Sequence, residues 1–461
     1  MKKIAVTGAT GFVGRAVVEA LRSRGDEVTA LVRDPAGARF GAGVAVKAYD
    51  VMSGLQAPEL FEGLDAVIHL AGEPVAGRWT HAKKRAIWDS RVLGTRNLVR
   101  SMLGARTPPR AFVAASAVGY YGSRGDEPLE ESAAPGHDFL ADVCVEWERD
   151  IARAGQAGMR AVWLRQGIVL GHGGGALAAM LPPYRAGVGG PLGNGKQFVP
   201  WIHLADDVAM FLFAVDHDAL WGPLNAVSPD YATSARFAYA LGHALRRPAL
   251  LPAPAIALRL MLGQFASSVL ASQLVIPARA EDAGFTFGQP SLEEALLAIL
   301  DPGSGRGPAT SVYRASQRVA APLSRVFAFF SDAANLQKLT PQTLDFRIET
   351  PIPIEMGRGA TIAYSLRING FRVKWKTLIA RWQPQTSFVD FALRGPYSLW
   401  RHTHAFTEVE GGVVIGDRVD YALPAPPLGN IALPWVRASI DRIFEYRRQR
   451  IDQFFGASSR S

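Results

Sequence analysis

The run Lys3-Ile-Ala-Val-Thr7 leads straight into Gly8-Ala9-Thr10-Gly11-Phe12-Val13-Gly14, after which Arg15 to Ser23 repeat apolar residues at helical spacing. A strand, a glycine turn and a helix in that order leave few folds open. The first glycine permits a tight turn, the second lets backbone amides approach a pyrophosphate, and the third lets helix and strand pack closely. The helix N-terminus adds partial positive charge. Gly8, Thr10, Gly11, Phe12, Val13 and Gly14 are therefore candidates for a dinucleotide cradle. The next strand-like run, EVTALV, ends at Arg33. An acidic residue there would hydrogen-bond a ribose 2′-hydroxyl, whereas a guanidinium pairs with a 2′-phosphate. The acidic position falls on Val32, with Asp34 one step late, so Arg33 points to NADP(H) over NAD(H). Asp50 is expected near the adenine, and Ala71 and Gly72 near the nicotinamide-side ribose.

Up to about residue 230, β-branched runs alternate with amphipathic stretches, the pattern of a parallel sheet wrapped by helices. Residues 232–299 turn helical, with Pro248, Pro252, Pro254 and Pro277 breaking them into pieces, and read as a cap on the first domain. DPGSGRGPAT, residues 301–310, has linker composition. From 311 to 456 a short helix, a series of alternating runs and a long helical segment follow, so the expected architecture is a doubly wound α/β Rossmann-like domain over 1–300 and an α+β helix-grip domain. Residues 457–461 are expected to be a disordered tail.

With 461 residues, 48% hydrophobic and 20% charged, the chain has material for more than one core. The lone cysteine, Cys144, excludes an internal disulfide framework and any multi-thiolate metal centre. Glycines interrupt the apolar start before it reaches signal-peptide length, which favours a cytoplasmic protein. The uncharged stretch from Leu260 to Ala278 contains Gln264, Ser267, Ser268, Ser272 and Gln273, so it reads as a helical subdomain and no integral membrane segment is expected. Net charge is +9; residues 309–461 hold 20 Lys and Arg against 12 Asp and Glu, which places +8 of it there. Those arginines are scattered, which favours a solvated face over a nucleic-acid surface.

TGATGFVG, HLAGEPVAG, DSRVLGT, SAVGYYG, FLADVCVEWE, RQGIVLGHGGGAL and PWIHLADD together resemble the extended short-chain dehydrogenase/reductase superfamily, in its atypical YfcH-like branch, over roughly residues 1–299. The resemblance implies an oxidoreductase or epimerase acting on a small molecule. It also implies a catalytic serine, which Ser116 matches, and a Tyr-x-x-x-Lys pair, which falls on Phe139 and Val143. Neither of those can transfer a proton. Arg91 stands where an asparagine is common. Three readings stay open. Tyr120 or Tyr121 substitutes for the missing base; a polar group such as Glu73, Arg165, His203 or Asp206 supplies the proton; or the domain binds cofactor without turnover, as a sensor. Ser116 and Tyr121 are the catalytic candidates, and Glu73, Arg165 and His203 the substrate-binding ones. The run Gly171-His172-Gly173-Gly174-Gly175 reads either as an anion-binding helix start or as a lid loop.

Residues 311–456 resemble the START-like or SRPBCC superfamily, which implies an apolar ligand held between sheet and last helix, or a carrier role. Period two places Trp400, His402, His404 and Phe406 on one strand face. That face either lines a half-polar cavity or packs against Trp435, Ile440, Phe444, Ile451 and Phe455 of the last helix. Two histidines two apart lack a third ligand at suitable spacing, so no metal is expected. Arg437, Arg442, Arg447, Arg448 and Arg450 are assigned to the other faces. The oligomeric state is left open, a homo-oligomer included.

Overall fold

The computed structural model describes residues 1–54, 57–302, 310–368, 370–424 and 428–456, without the side chains of 428 and 430. Most of the expected linker and the whole expected tail lie outside the described residues. The chain divides into two compact units, Met1–Arg306 and Gly307–Ser461.

The first unit is built on a seven-stranded sheet. Its strands run in the order Gly222–Ala226, Arg160–Gln166, Ala111–Ala117, Ala66–His69, Lys3–Thr7, Glu27–Val32, Val44–Ala48, with every pairing parallel. Helices on both faces explain why the central strands read as unbroken apolar runs: Ile4, Ala5, Val6, Val67, Ile68, Phe112 and Val113 are all fully buried. Strand order reverses between Lys3–Thr7 and Ala66–His69, and such a switch point opens a crevice at the carboxyl ends of the strands. His69 fixes this junction internally. Its Nδ1 lies 2.6 Å from Thr7 Oγ1 and its Nε2 3.0 Å from Thr95 Oγ1, while burial lowers its pKa to about 3 and keeps the ring neutral.

The segment expected to form a cap is helical in pieces: Ser234–Leu245, Ala255–Leu262, Phe265–Val269, Ala278–Asp282 and Leu292–Leu300. Arg236 joins two parts of it, with Nη1 2.5 Å from Asp230 and Nη2 2.7 Å from Glu293, all three side chains being almost fully enclosed. No helix among the described residues is long and apolar enough to cross a membrane.

The second unit is a seven-stranded antiparallel sheet in the order Ser311–Val319, Gly412–Ala422, Leu399–Val409, Ser387–Arg394, Phe371–Gln383, Thr361–Ile368, Arg347–Ile348. The helix Leu433–Phe455 lies on it and buries Ile440, Phe444, Ile451 and Phe455, which completes a helix grip. Two expectations need correction here. Trp435 is 69% exposed, whereas Arg447 is buried at 8%. Positions 440, 444, 447 and 451 follow helical spacing, so Arg447 belongs to the inward stripe.

Because removal of one partner leaves buried charge uncompensated, Arg236→Ala is expected to destabilise the first unit by about 3–5 kcal/mol. Urea unfolding followed by tryptophan fluorescence measures this, and a loss below about 1 kcal/mol would show the triad to be no more than an exposed pair in its energetics.

Candidate functional sites

The glycine turn is shaped by backbone against backbone. Gly8 has φ +67°, and a Cβ placed on it would lie 2.5 Å from the Leu70 carbonyl carbon and 2.6 Å from Ala71 N. A Cβ on Gly14 would lie 2.1 Å from the Gly8 carbonyl oxygen. Gly11 N donates to Gly8 O at 2.9 Å and Gly11 caps the helix Phe12–Ser23. Thr10 is exposed, with Phe12 and Val13 half-buried beside it. The Gly171–Gly175 run packs over Phe12: Cβ atoms on Gly171, Gly174 and Gly175 would approach its ring to 2.9, 2.4 and 2.9 Å. Gly171, Gly174 and Gly175 are thus explained by contact with Phe12.

At the end of the second strand Arg33 is exposed. Asp34 turns into its own loop, accepting from Ala36 N at 3.0 Å. Arg15 ties this loop to the glycine turn, donating to the Thr10 carbonyl at 3.0 Å and the Arg39 carbonyl at 3.2 Å. Asp50, half-buried, accepts from Met52 N at 2.9 Å. Ala71 and Gly72 continue the strand Ala66–His69 alongside Gly8. The structure therefore brings Gly8–Gly14 and Ala71–Gly72 together at the strand ends, with Arg33 just past the end of the adjacent strand.

The predicted catalytic and substrate residues divide differently. Ser116 is 2% exposed and donates to Glu148 at 2.6 Å. Glu148 also receives Arg165 Nε at 2.8 Å and Nη2 at 2.7 Å. Arg165 donates onward to the Tyr121 hydroxyl at 2.9 Å and the Glu131 carbonyl at 3.0 Å, and Tyr121 donates to Asn225 Oδ1 at 2.7 Å. Arg165 and Tyr121 are thus members of a closed core network. Both side chains are enclosed there, Arg165 at 3% and Tyr121 at 0% exposure. Burial also pushes the Tyr121 phenol up, so it stays protonated. His203 accepts from Ala205 N at 3.1 Å and caps the helix Leu204–Asp216, burial lowering its pKa. Asp206 accepts from Gly288 N and Gln289 N at 2.8 and 2.9 Å, pinning the segment between the cap helices Ala278–Asp282 and Leu292–Leu300. Glu73 pairs with Lys83 at 2.7 Å.

Where the resemblance places a tyrosine, Phe139 packs edge-on to Trp79 at 5.2 Å, and Lys84 Nζ sits 4.8 Å over its ring. Val143 is buried. Arg91 donates to the Glu73 carbonyl at 2.9 Å, lies over the Trp147 ring and comes within 3.4 Å of where a Gly72 Cβ would be. Two cations therefore flank the missing pair. Lys84 and Glu148 were not singled out by sequence. The buried series Val143, Cys144, Trp147 and Ile151 marks the inward face of their helix, and Glu148 lies within it.

Residues 4–224 match the NAD dependent epimerase/dehydratase family. Mouse epimerase family protein SDR39U1 is 36% identical over 303 residues, which cover 65% of this chain and 99% of the relative. The chain belongs to this epimerase family. Residues 253–299 match DUF1731, a domain of unknown function, and residues 311–452 match the polyketide cyclase/dehydrase and lipid transport family. The Arabidopsis thaliana homolog of SDR39U1, named as chloroplastic, is 36% identical over 304 residues, 64% of this chain and 86% of that protein. A crystal structure of human SDR39U1 (isoform 2) with NADPH superposes with a TM-score of 0.57 at 34% identity, covering 65% of this chain and 99% of that one. The family's Rossmann-like domain thus stands on the same chain as a helix-grip domain.

The helix-grip unit holds a cavity of about 1100 Å³. Trp375, Trp400, Tyr364 and Tyr397 line it, together with Asp390, His402, His404 and Arg447. Strand register gathers the polar group, since Asp390 lies opposite His402 and Asp417 opposite His404. His404 Nε2 is 2.9 Å and His402 Nδ1 3.5 Å from the same Asp390 oxygen. The other ring nitrogens, His402 Nε2 and His404 Nδ1, are 2.8 and 3.2 Å from Asp417 Oδ1. Burial opposes charge on Asp417, but Arg447 and the bonds to both imidazoles outweigh it and hold this carboxyl well below its ordinary range. The expected absence of a third ligand is corrected: a carboxylate arrives from the neighbouring strand.

Arg33→Ala is expected to weaken NADPH binding by about 1.5–3 kcal/mol, the range for a hydrogen bond to a charged group, while leaving NADH binding nearly unchanged. Calorimetry with both coenzymes checks this, and equal losses would remove Arg33 from phosphate recognition. A second expectation concerns Asp207, fully buried, with Oδ2 accepting from Gln166 at 2.7 Å and Oδ1 without a partner among the described residues. Burial raises its pKa to about 7, the Gln166 bond opposing and Asp206 adding to the shift. Between about pH 4 and that value the folded chain keeps a proton that the unfolded chain releases. This contribution is complete below the unfolded pKa and is lost as pH rises through the folded one. Asp207→Asn should therefore flatten the decline in unfolding free energy between about pH 4 and about pH 7. An unchanged slope would locate the decline elsewhere.

Proposed function

We propose that the first unit is an NADP(H)-dependent oxidoreductase acting on a small carbonyl or alcohol substrate, and that the second binds an apolar molecule related to it. The observation that carries the coenzyme reading is Arg33, exposed at its strand end while Asp34 is folded back onto Ala36 N. The NADPH in the human SDR39U1 structure supports it. The cradle of Gly8, Thr10, Gly11, Phe12, Val13 and Gly14 fits a diphosphate, with backbone amides at the helix start to face it and no room for a Cβ at Gly8 or Gly14. Asp50 would serve the adenine side, and Ala71 and Gly72 the nicotinamide-side ribose. When bound, the coenzyme supplies hydride exchange.

The remaining work falls to the chain. Ser116, its proton committed to Glu148, keeps oxygen lone pairs with which to orient a substrate hydroxyl. Phe139 and Val143 hold no transferable proton, so the ammonium of Lys84, over the Phe139 ring, is the group we assign to protonate a forming alkoxide. Arg91 adds a second positive charge beside Gly72 and stabilises the same developing anion. Glu73, paired with Lys83, borders this region as a substrate-side acceptor.

A second reading, a coenzyme-binding sensor without turnover, is favoured by the replacement of the Tyr-x-x-x-Lys pair. Incubation with NADPH and a panel of aldehydes and ketones, followed by the absorbance of reduced nicotinamide, separates the two. Oxidation that falls by about 10²–10⁴-fold in Lys84→Met, with NADPH affinity retained, is the outcome expected for a general acid. Tight NADPH binding with no oxidation of any panel member gives the sensor reading instead.

A further inference from the structure

The ionisable cluster in the helix-grip cavity has an arrangement that packing alone does not require. Two imidazoles lie side by side, ring centres 3.8 Å apart, between two carboxylates. On one side a single Asp417 oxygen faces one nitrogen of each ring, and on the other a single Asp390 oxygen faces the remaining nitrogen of each ring. If both rings give their N–H to Asp417, the nitrogens turned toward Asp390 are lone pairs facing an anion. Proton sharing satisfies only part of this. Arg447, 3.6 Å from Asp417 and 3.2 Å from His404 Nδ1, brings one positive charge against two carboxylates.

We propose that Asp390, His402 and His404 bind one divalent transition-metal ion of the zinc type, with Asp417 orienting both imidazoles from behind. The donor set is two imidazole nitrogens and a carboxylate oxygen, chemistry suited to zinc, iron or cobalt rather than to calcium or magnesium. One donor atom from each residue lies within 4.8 Å of the others. Bonds of about 2.1 Å in tetrahedral geometry put ligand atoms about 3.4 Å apart. The separations of 2.9 and 3.5 Å from the Asp390 oxygen bracket that value. A ligating histidine is normally held by a carboxylate on its other nitrogen, which is where Asp417 stands for both rings. With Nε2 of His404 on the metal, its one ring proton sits on Nδ1 and is donated to Asp417, and Arg447 is left to that carboxylate.

Three protein ligands leave a coordination position open, and Asp390, His402 and His404 all line the cavity. An oxygen of the bound molecule, as carboxylate, enolate or phenolate, is the donor that fits there. This inference concerns the second unit and stands apart from the coenzyme reading.

The full chain, stripped with a chelator and dialysed, is titrated with cobalt(II), followed by visible absorption, and with zinc, followed by calorimetry. One saturable equivalent is expected, with cobalt spectra of mixed nitrogen and oxygen ligation. His404→Gln and Asp390→Asn should each abolish it, with folding checked by the thermal transition. Asp417→Asn, which spares the ligands, should weaken affinity by about 10–100-fold, and it keeps the test open if a ligand variant does not fold. Failure of the stripped wild-type chain to take up one equivalent overturns the proposal, as does uptake unchanged in folded His404→Gln or in Asp417→Asn.

Discussion

Everything arranged for a ligand in the first unit depends on one steric constraint, the contact of bare backbone at Gly8 and Gly14. The helix Phe12–Ser23 can begin beside the strand Lys3–Thr7 only because nothing projects from Gly14 toward the Gly8 carbonyl. The strand Ala66–His69 can deliver Ala71 to the same place only because Gly8 presents no side chain to Leu70. The close approach of helix N-terminus and neighbouring strand end is therefore a consequence of two missing Cβ atoms. Phe12 extends the constraint outward, since Gly171, Gly174 and Gly175 are needed for a loop to close over its ring.

That constraint is local in sequence, which is why this part of the site was legible. A turn, its strand and its helix lie within about two dozen residues, and Arg33 follows from where one strand ends. The catalytic candidates were legible only as positions. Whether Arg165 faces a cleft depends on Glu148, 17 residues away, and whether Tyr121 is free depends on Asn225, 104 residues away. Composition and period do not carry such pairings. The polar chain from Glu148 through Arg165 and Tyr121 to Asn225 is hydrogen-bonded within the core, and an arginine on a strand reads the same whether it meets substrate or a buried glutamate.

The second unit shows the complementary case. Period two placed His402 and His404 on a common face, as the strand Leu399–Val409 requires, but which residues stand opposite is a matter of register. Asp390 and Asp417 come from the strands on either side. Arg447 was legible in a different way: its spacing from Ile440, Phe444 and Ile451 puts it on the buried stripe, and its residue type argued against its position. The position was the better guide, because a carboxylate and an imidazole wait beneath it.

The two units handle buried charge by different logics. In the first, Arg165 and Arg236 are enclosed by carboxylates and carbonyls that use their donors, so these groups fix the packing of strands and cap and are removed from solvent and ligand alike. In the second, the charged cluster is set into the wall of a cavity, among rings of Trp375, Trp400 and Tyr364. A cavity shaped for a purely hydrocarbon guest gains nothing from desolvated carboxylates on its wall, since each costs several kcal/mol unless something compensates it. The guest that this wall fits therefore has two characters: an apolar body against the aromatic rings, and an oxygen-bearing end that completes the environment of the histidines, directly or through a metal ion.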